Sequence, residues 1–273
     1  MKFIVSACFL FLAYSFLAQT TFPWSGTFSG TGVSRTYSTT VSGVTMSATI
    51  TNSENVWQDA SPKWFPAGSV LAGSGCSGLP AVNQGMVLST DWTSNTTKTI
   101  TVVINFSTPV NGPVSFKLYD INDDGFGSWA DRIIISGTNS VGGAVNVSNS
   151  GTACVSTGGS VSGSGTATLT YNSGSSSACT CWGNNAVNVG GAADCISSVT
   201  ILYKSGVSPA NNNNPKQYVV ISDLTATVPT SVSAPSAITG TTSICQGAST
   251  TLTATGGNAN SQWFTGSCGG TAA

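Results

Sequence analysis

Four of the nine acidic side chains in this 273-residue chain fall inside the stretch DINDDGFGSWAD, as Asp120, Asp123, Asp124 and Asp131. Oxygen-bearing side chains stand at loop positions one, three and five (Asp120, Asn122, Asp124). Glycine follows at six (Gly125), and a carboxylate closes the loop at twelve (Asp131). Calcium takes about six to eight hard oxygens on a sharply turned backbone, and this register supplies them. The ligands of a Ca2+ ion would be the side chains of Asp120, Asn122, Asp124 and Asp131, the Phe126 carbonyl, and Ser128 through a water. The competing reading is a long turn whose Asp and Asn side chains hydrogen-bond their own backbone. Carboxylates crowded together without a cation raise one another's pKa values and cost stability, which favours the ion. Its role would be stiffening first and ligand contact second.

Catalytic readings are poor by comparison. The chain has no histidine, so Ser–His–Asp and Cys–His arrangements are excluded. A glycosidase pair would have to come from Asp residues, or from the one glutamate, Glu54, with Asp59, and no spacing brings these together. No motif supports a Ser–Lys dyad. The aromatic cluster WQDASPKWF holds Trp57, Trp64 and Phe65. Exposed, these rings would stack on the apolar C–H faces of sugars or meet a protein partner; buried, they plug the end of the fold. The sequence points to a binding surface and not to an enzyme.

These residues need a scaffold, and composition indicates its class. Only 6% of the chain is charged, against about 25% in an average soluble domain. Its polarity comes from Ser, Thr, Asn and 32 glycines, a mixture suited to short strands and tight turns. A net charge of −1, with eight scattered Lys and Arg, gives no field for nucleic acid or anionic lipid. Val102, Ile104 and Phe106 alternate with Val103 and Asn105. Val114, Phe116 and Leu118 alternate with Ser115, Lys117 and Tyr119, and Val199, Ile201 and Tyr203 with Thr200, Leu202 and Lys204. Period-two runs of this kind bury one sheet face and wet the other. Further strands are expected near 34–52, 85–92, 131–137, 144–149, 165–171 and 216–228, with 156–177 forming a long hairpin. Turn signals stand at Asn111-Gly112-Pro113, Gly137-Thr138-Asn139, Gly142-Gly143 and 211–215. The expected fold is all-β: a two-sheet, jelly-roll-like β-sandwich over 19–228.

Residues 1–18 read as a secretory signal peptide: Lys2, an apolar stretch from Phe3 to Leu17, then Ala18. A lipobox-like Val5-Ser6-Ala7-Cys8 is a weaker reading, since the apolar run follows Cys8. No other stretch approaches the ~18 apolar residues of a membrane helix. Past residue 18 come Cys76, Cys154, Cys179, Cys181, Cys195, Cys245 and Cys268, expected as disulfides in an exported chain, with Cys181–Cys195 a plausible short bridge. Zinc is disfavoured without histidine or a second paired-cysteine motif. A Pro/Ser/Thr linker occupies 229–236, and 237–273 reads as the start of a second, truncated β-module.

Ser243-Ile244-Cys245-Gln246-Gly247, Thr251-Leu252-Thr253-Ala254-Thr255-Gly256-Gly257, Gln262-Trp263-Phe264 and Gly266-Ser267-Cys268-Gly269-Gly270-Thr271 resemble the opening of Ig-like modules. Such modules are repeated in large secreted and surface proteins of Bacteroidota. Phe116-Lys117-Leu118-Tyr119-Asp120 and Asp131-Arg132-Ile133-Ile134-Ile135 are similar to the β-sandwich found at the N-terminus of such proteins. The resemblance implies export by the type IX system, location at the cell surface or outside the cell, and membership of a longer multidomain chain. Adhesion to a surface glycan or protein partner is the expected role. The alternative is a carbohydrate-binding accessory module of an extracellular hydrolase or protease.

Overall fold

The computed structural model describes residues 19–53, 57, 61–65, 85–90, 98–121, 130–150, 160–172, 185–205 and 217–229, with short backbone stretches beyond 236. The chain divides into two units, Met1–Val228 and Pro229–Ala273. The larger opens with β1 (Gln19–Phe22), β2 (Ser34–Val41), β3 (Val44–Asn52), β4 (Lys63–Phe65) and β5 (Gly85–Thr90). The long β6 (Thr99–Tyr119) is followed by β7 (Asp131–Asn139), β8 (Ala144–Val145), β9 (Val147–Asn149) and β10 (Ser160–Ser162). Then come β11 (Thr168–Asn172), β12 (Asn185–Val189), β13 (Cys195–Ser205), β14 (Gln217–Ser222) and β15 (Leu224–Thr227). Among the described residues there is no helix. The class is all-β and sandwich-like, as the alternating pattern predicts.

Strand β6 organises both layers. Its first part, 99–106, lies between β3 and β13, in the order β2-β3-β6-β13-β7-β11-β10. Its second part, 114–119, has β12 on one side and β15 and β14 on the other. Beyond these lie β9 next to β12, β1 next to β15, and β5 then β4 next to β14. Every one of these pairings is antiparallel.

The expected turn at Asn111-Gly112-Pro113 does not interrupt β6: strand pairing continues through it while the strand bends. The chain passes here from one sheet to the other and doubles back, so that 114–119 runs opposite to 99–106. Pairing with β13 jumps from Ile196↔Val110 to Ser198↔Asn105, so β6 carries extra residues where it bends. The Gly112 N–H donates to the Asp194 carbonyl at 2.8 Å, keeping the bend hydrogen-bonded. Likewise Gly137-Thr138-Asn139 belongs to β7. The reversal comes just after it, where Asn139 N–H donates to Gly143 O and Gly142 N–H to Asn139 O. Strands β1 and β12 were not expected, since neither carries a long alternating run. The 34–52 region is a hairpin whose two turn residues, Ser42 and Gly43, both have positive φ (51° and 77°), the type I′ geometry that matches strand twist.

Ile100, Val102, Ile104 and Phe106 from one part of β6 and Val114, Phe116 and Leu118 from the other bury into one core. Phe22 meets Phe106 edge to face at 5.4 Å. Fully burying such side chains contributes about 1.5–3 kcal/mol each. Strands β5 and β14 depart from the pattern, being buried on both faces. Met86, Leu88, Val219 and Ile221 join the main core, while Val87, Tyr119, Tyr218 and Val220 make a second, smaller one.

In the second unit β16 (Ala237–Thr239) pairs with β17 (Thr253–Thr255), and β18 (Phe264–Thr265) with β19 (Thr271–Ala272), both antiparallel.

A Cβ on Gly112 would lie 2.6 Å from the Gly191 carbonyl oxygen. Gly112→Ala is expected to cost about 1–3 kcal/mol through this clash at the bend. A lowered urea midpoint with an unchanged slope would report it; an unchanged midpoint would contradict the tight approach.

Candidate functional site

The two ends of the acidic stretch lie on different sheets. In the first sheet Tyr171 stands opposite Ile133, and its hydroxyl donates at 2.7 Å to Asn149 Oδ1, which stands opposite Val187 in the second. Val187 is in turn opposite Phe116. A side chain at Gly137 would strike Val189, which is opposite Val114, so β7 runs opposite to the second part of β6 at this level. By this register Asp131, opening β7, and Asp120, closing β6, arrive at the same end of the sandwich.

Both carboxylates are buried. Asp131 is opposite Ser205 and accepts a 2.7 Å hydrogen bond from Tyr203 Oη. Asp120 has a φ of 64°, a left-handed conformation that Asp and Asn tolerate better than most residues. Burial pushes its carboxyl from 3.8 up to about 7. Gln217, opening β14, is fully buried at this same end, since Val220 pairs with Tyr119 and Gln217 lies further along. Neither of its amide atoms has a hydrogen-bond partner. A buried carboxylate that resists ionisation and a buried amide oxygen without a donor are both relieved by a hard cation. Asn122, Asp124, Phe126 and Ser128 lie outside the described residues. Among the described residues no three His, Cys, Asp or Glu side chains cluster as a metal site.

The aromatic candidates separate. Trp57 packs against the main core, donates from Nε1 to Gly32 O at 3.0 Å, and carries the Arg35 guanidinium 5.7 Å above its ring. Its backbone bridges Thr90 on β5, whereas Trp64 stands opposite Met86 on the same strand. Four residues of β5 put the two about 13 Å apart along one strand. Trp64 is 39% exposed. Phe65 is placed by backbone only, opposite Gly85. Trp57 thus plugs, and Trp64 is the indole with an open face. Cys195 carries an exposed free thiol, so the expected Cys181–Cys195 bridge is not formed. Its sulfur faces Asn111 Oδ1 across the β13–β6 pair at 4.0 Å.

A cleft of about 420 Å³ lies on the outer face of the second sheet, and no sequence pattern marked it. Thr21, Thr225, Ser115 and Asn188 form a continuous cross-strand row through β1, β15, β6 and β12. Lys117, Ser150, Ser222 and Asp223 add to the polar lining, and Phe116, Ala186 and Val187 supply an apolar part. The Ser115 hydroxyl donates to Asn188 Oδ1 at 2.7 Å. Asp223 Oδ1 accepts from Trp24 N–H at 2.9 Å, and Trp24 Nε1–H donates to Ser222 O at 2.9 Å. Burial raises the Asp223 carboxyl, and the Trp24 N–H pulls it part of the way back. Ser222 Oγ accepts from Lys117 N–H and donates to Asp223 O, which fixes the floor. The available signal was alternation alone: Ser115 and Lys117 occupy the wet positions of β6. A second concavity, about 380 Å³ over β2 and β3, is walled by hydroxyls, among them Ser29, Thr36, Ser47 and Thr49.

No protein-family model, no curated protein and no solved structure matches this chain. Its chemistry is therefore read from geometry.

Asp120 has a folded-state pKa above its unfolded value, so the native state holds the extra proton between about pH 4 and 7. Its stabilising contribution is complete below pH 4 and is lost as pH rises through about 7. In chelator-treated protein, stability is expected to fall across that window by as much as about 4 kcal/mol. Asp120→Asn should flatten the fall and retain the backbone conformation; an identical pH profile in the variant would refute the assignment. For the indoles, Trp57→Ala is expected to cost about 3 kcal/mol in denaturant unfolding, and Trp64→Ala under about 1 kcal/mol.

Proposed function

We propose that this chain is a non-catalytic binding and display domain of an exported protein, working in adhesion at the cell surface or outside the cell. Calcium stiffens its acidic end. One observation carries the reading: Asp131, Asp194, Asp223 and Arg35 are tied into the frame by hydrogen bonds, and the outer faces are made largely of hydroxyls. Asp131 is held by Tyr203, Asp223 by Trp24, and Asp194 by the Gly191 N–H at 2.7 Å. Arg35 donates to the carbonyls of Gly32 and Ser34. A catalyst needs acid and base groups poised at a reacting atom, and groups occupied by the scaffold are poorly placed for that. Across the first sheet Thr36, Thr49, Val103, Thr200, Ser136 and Thr168 stand in one row, a neutral and broad polar surface. The buried Asp120 and Asp131 at one end, with the unpartnered Gln217 amide, support the calcium component.

Exposed Trp64 favours a second reading, in which the domain is a carbohydrate-binding accessory module of an extracellular hydrolase or protease.

The test uses the full chain. Calcium at about a hundred times its Kd should stabilise the fold by about 2.7 kcal/mol, moving the thermal midpoint up by roughly 5–10 °C, and a chelator should reverse the shift. Beads coated with the protein should be retained on glycan- or protein-coated surfaces, with no turnover of polysaccharide, peptide or ester substrates. Turnover abolished by Asp120→Asn, or a midpoint indifferent to calcium, would overturn the reading.

A further inference from the structure

We propose that Arg132 and Lys204, side by side on the outer face of the first sheet, form an oxyanion-binding site that takes the carboxylate or sulfate group of an acidic saccharide. The inference rests on the reading of the chain as a binding domain and names its ligand class.

The two cations are remote in sequence and are brought together by β7 and β13, where Lys204 stands directly opposite Arg132. Directly opposed residues share a face, with Cβ atoms about 4.5–5.5 Å apart. Their neighbours Ile133 and Tyr203 are in the main core, so alternation turns Arg132 and Lys204 outward. Like charges so placed repel, and with only eight Lys and Arg in the whole chain the pairing does not follow from abundance. Among the described residues neither side chain has a hydrogen bond or an ion pair, and Arg132 Nε is buried without an acceptor. Asp131, next in the chain, lies on the inward face and accepts from Tyr203 Oη. Along the row, Lys204 is flanked by Thr99 and Arg132 by Asn172, both neutral. One oxyanion between the two cations cancels their repulsion, accepting from the guanidinium fork and from the ammonium together.

The adjoining row indicates what carries that oxyanion. Two residues along the same strands, about 7 Å away, Leu202 stands opposite Ile134, and both are half-buried. Thr101 and Thr170 stand on either side of this apolar pair. A sugar acid has the same sequence of parts: a charged group, an apolar C–H face beside it, and hydroxyls at the rim that donate and accept. Inorganic phosphate would use the cations and leave the rest of the surface unmatched. A nucleic acid draws its affinity from many phosphate contacts, and two cations on a chain of net charge −1 supply few.

The experiment titrates the full chain by calorimetry with oligogalacturonate and with sulfated dextran oligosaccharides, which separate carboxylate from sulfate. Methyl-esterified oligogalacturonate and plain dextran are the neutral counterparts, and inorganic phosphate and a single-stranded oligodeoxynucleotide are the remaining arms. At least one acidic saccharide should bind with a Kd below about 1 mM, about tenfold or more tighter than its neutral counterpart. Its affinity should fall as salt is raised. Arg132→Gln and Lys204→Gln should each weaken binding by about tenfold or more, and Arg132→Lys, which keeps the charge and loses the fork, by less. Arg35→Gln, which takes one positive charge from β2, should leave the Kd within about twofold, because the effect belongs to the pair and not to net charge. No binding of either acidic saccharide, equal affinity for the neutral counterparts, a preference for phosphate or the oligonucleotide, or an equal loss in Arg35→Gln would each overturn the site and leave the binding-domain reading standing. Hydrolysis of a bound saccharide would instead end the non-catalytic reading while leaving the oxyanion site intact.

Discussion

The larger unit depends on β6 staying hydrogen-bonded while it crosses from one sheet to the other. Each buried backbone group left unpaired there would cost about 1–3 kcal/mol, so the bend is tolerable only where partners exist. They do. Asp194 O takes the Gly112 N–H, Asn111 stands opposite Cys195, and the Ser107 hydroxyl accepts from Thr45 N–H at 2.9 Å. A single strand thereby contributes inward residues to both layers, and Phe106 is brought to Phe22 on β1. The ends of that same strand are then returned to one end of the sandwich. This is why residues so far apart in the chain as Thr99 and Asp120 share a neighbourhood with β7 and β13.

Scarcity of charge shapes what the frame can do. With so few ionisable side chains, and with Asp131, Asp194 and Asp223 held by hydrogen bonds, the polar surface is made largely of Ser, Thr and Asn. Neutral hydroxyls are cheap to desolvate beside carboxylates, so such a surface exchanges water for ligand hydroxyls at modest cost. The same economy concentrates the unfavourable burial at the acidic end, where Asp120, Asp131 and Gln217 are all inside. A molecule does not retain such groups for stability, since apolar residues of equal volume would serve it better. Their burial is the observation that supports the proposed cation.

The surfaces divide accordingly. Both outer faces carry hydroxyl rows, and on the second sheet they line a hollow in which Ser115 holds the Asn188 side chain. Trp24 connects that hollow to the core, where it lies against Phe28 and Tyr37 at centroid distances of 6.3 and 5.2 Å. Rigidity of the cleft and integrity of the core are thus the same property.

From the sequence alone, alternation in 102–106, 114–118 and 199–203 established the class and the inward face of those strands, because a period of two admits one partition of side chains. The spacing of Asp120 and Asp131 likewise marked the acidic stretch, since calcium chemistry depends on local register. What required the folded chain was everything that joins distant segments. Asn111-Gly112-Pro113 has the composition of a turn, and only pairing with Asp194, Cys195 and Thr227 makes it a passage between sheets. Strand β12 is too short to announce itself, yet it brings Asn188 beside Ser115. Gln217 reads as one more polar residue before a strand until burial removes its solvent. Local pattern decides which face a residue takes; long-range hydrogen bonding decides what stands next to it, and the site is made of neighbours.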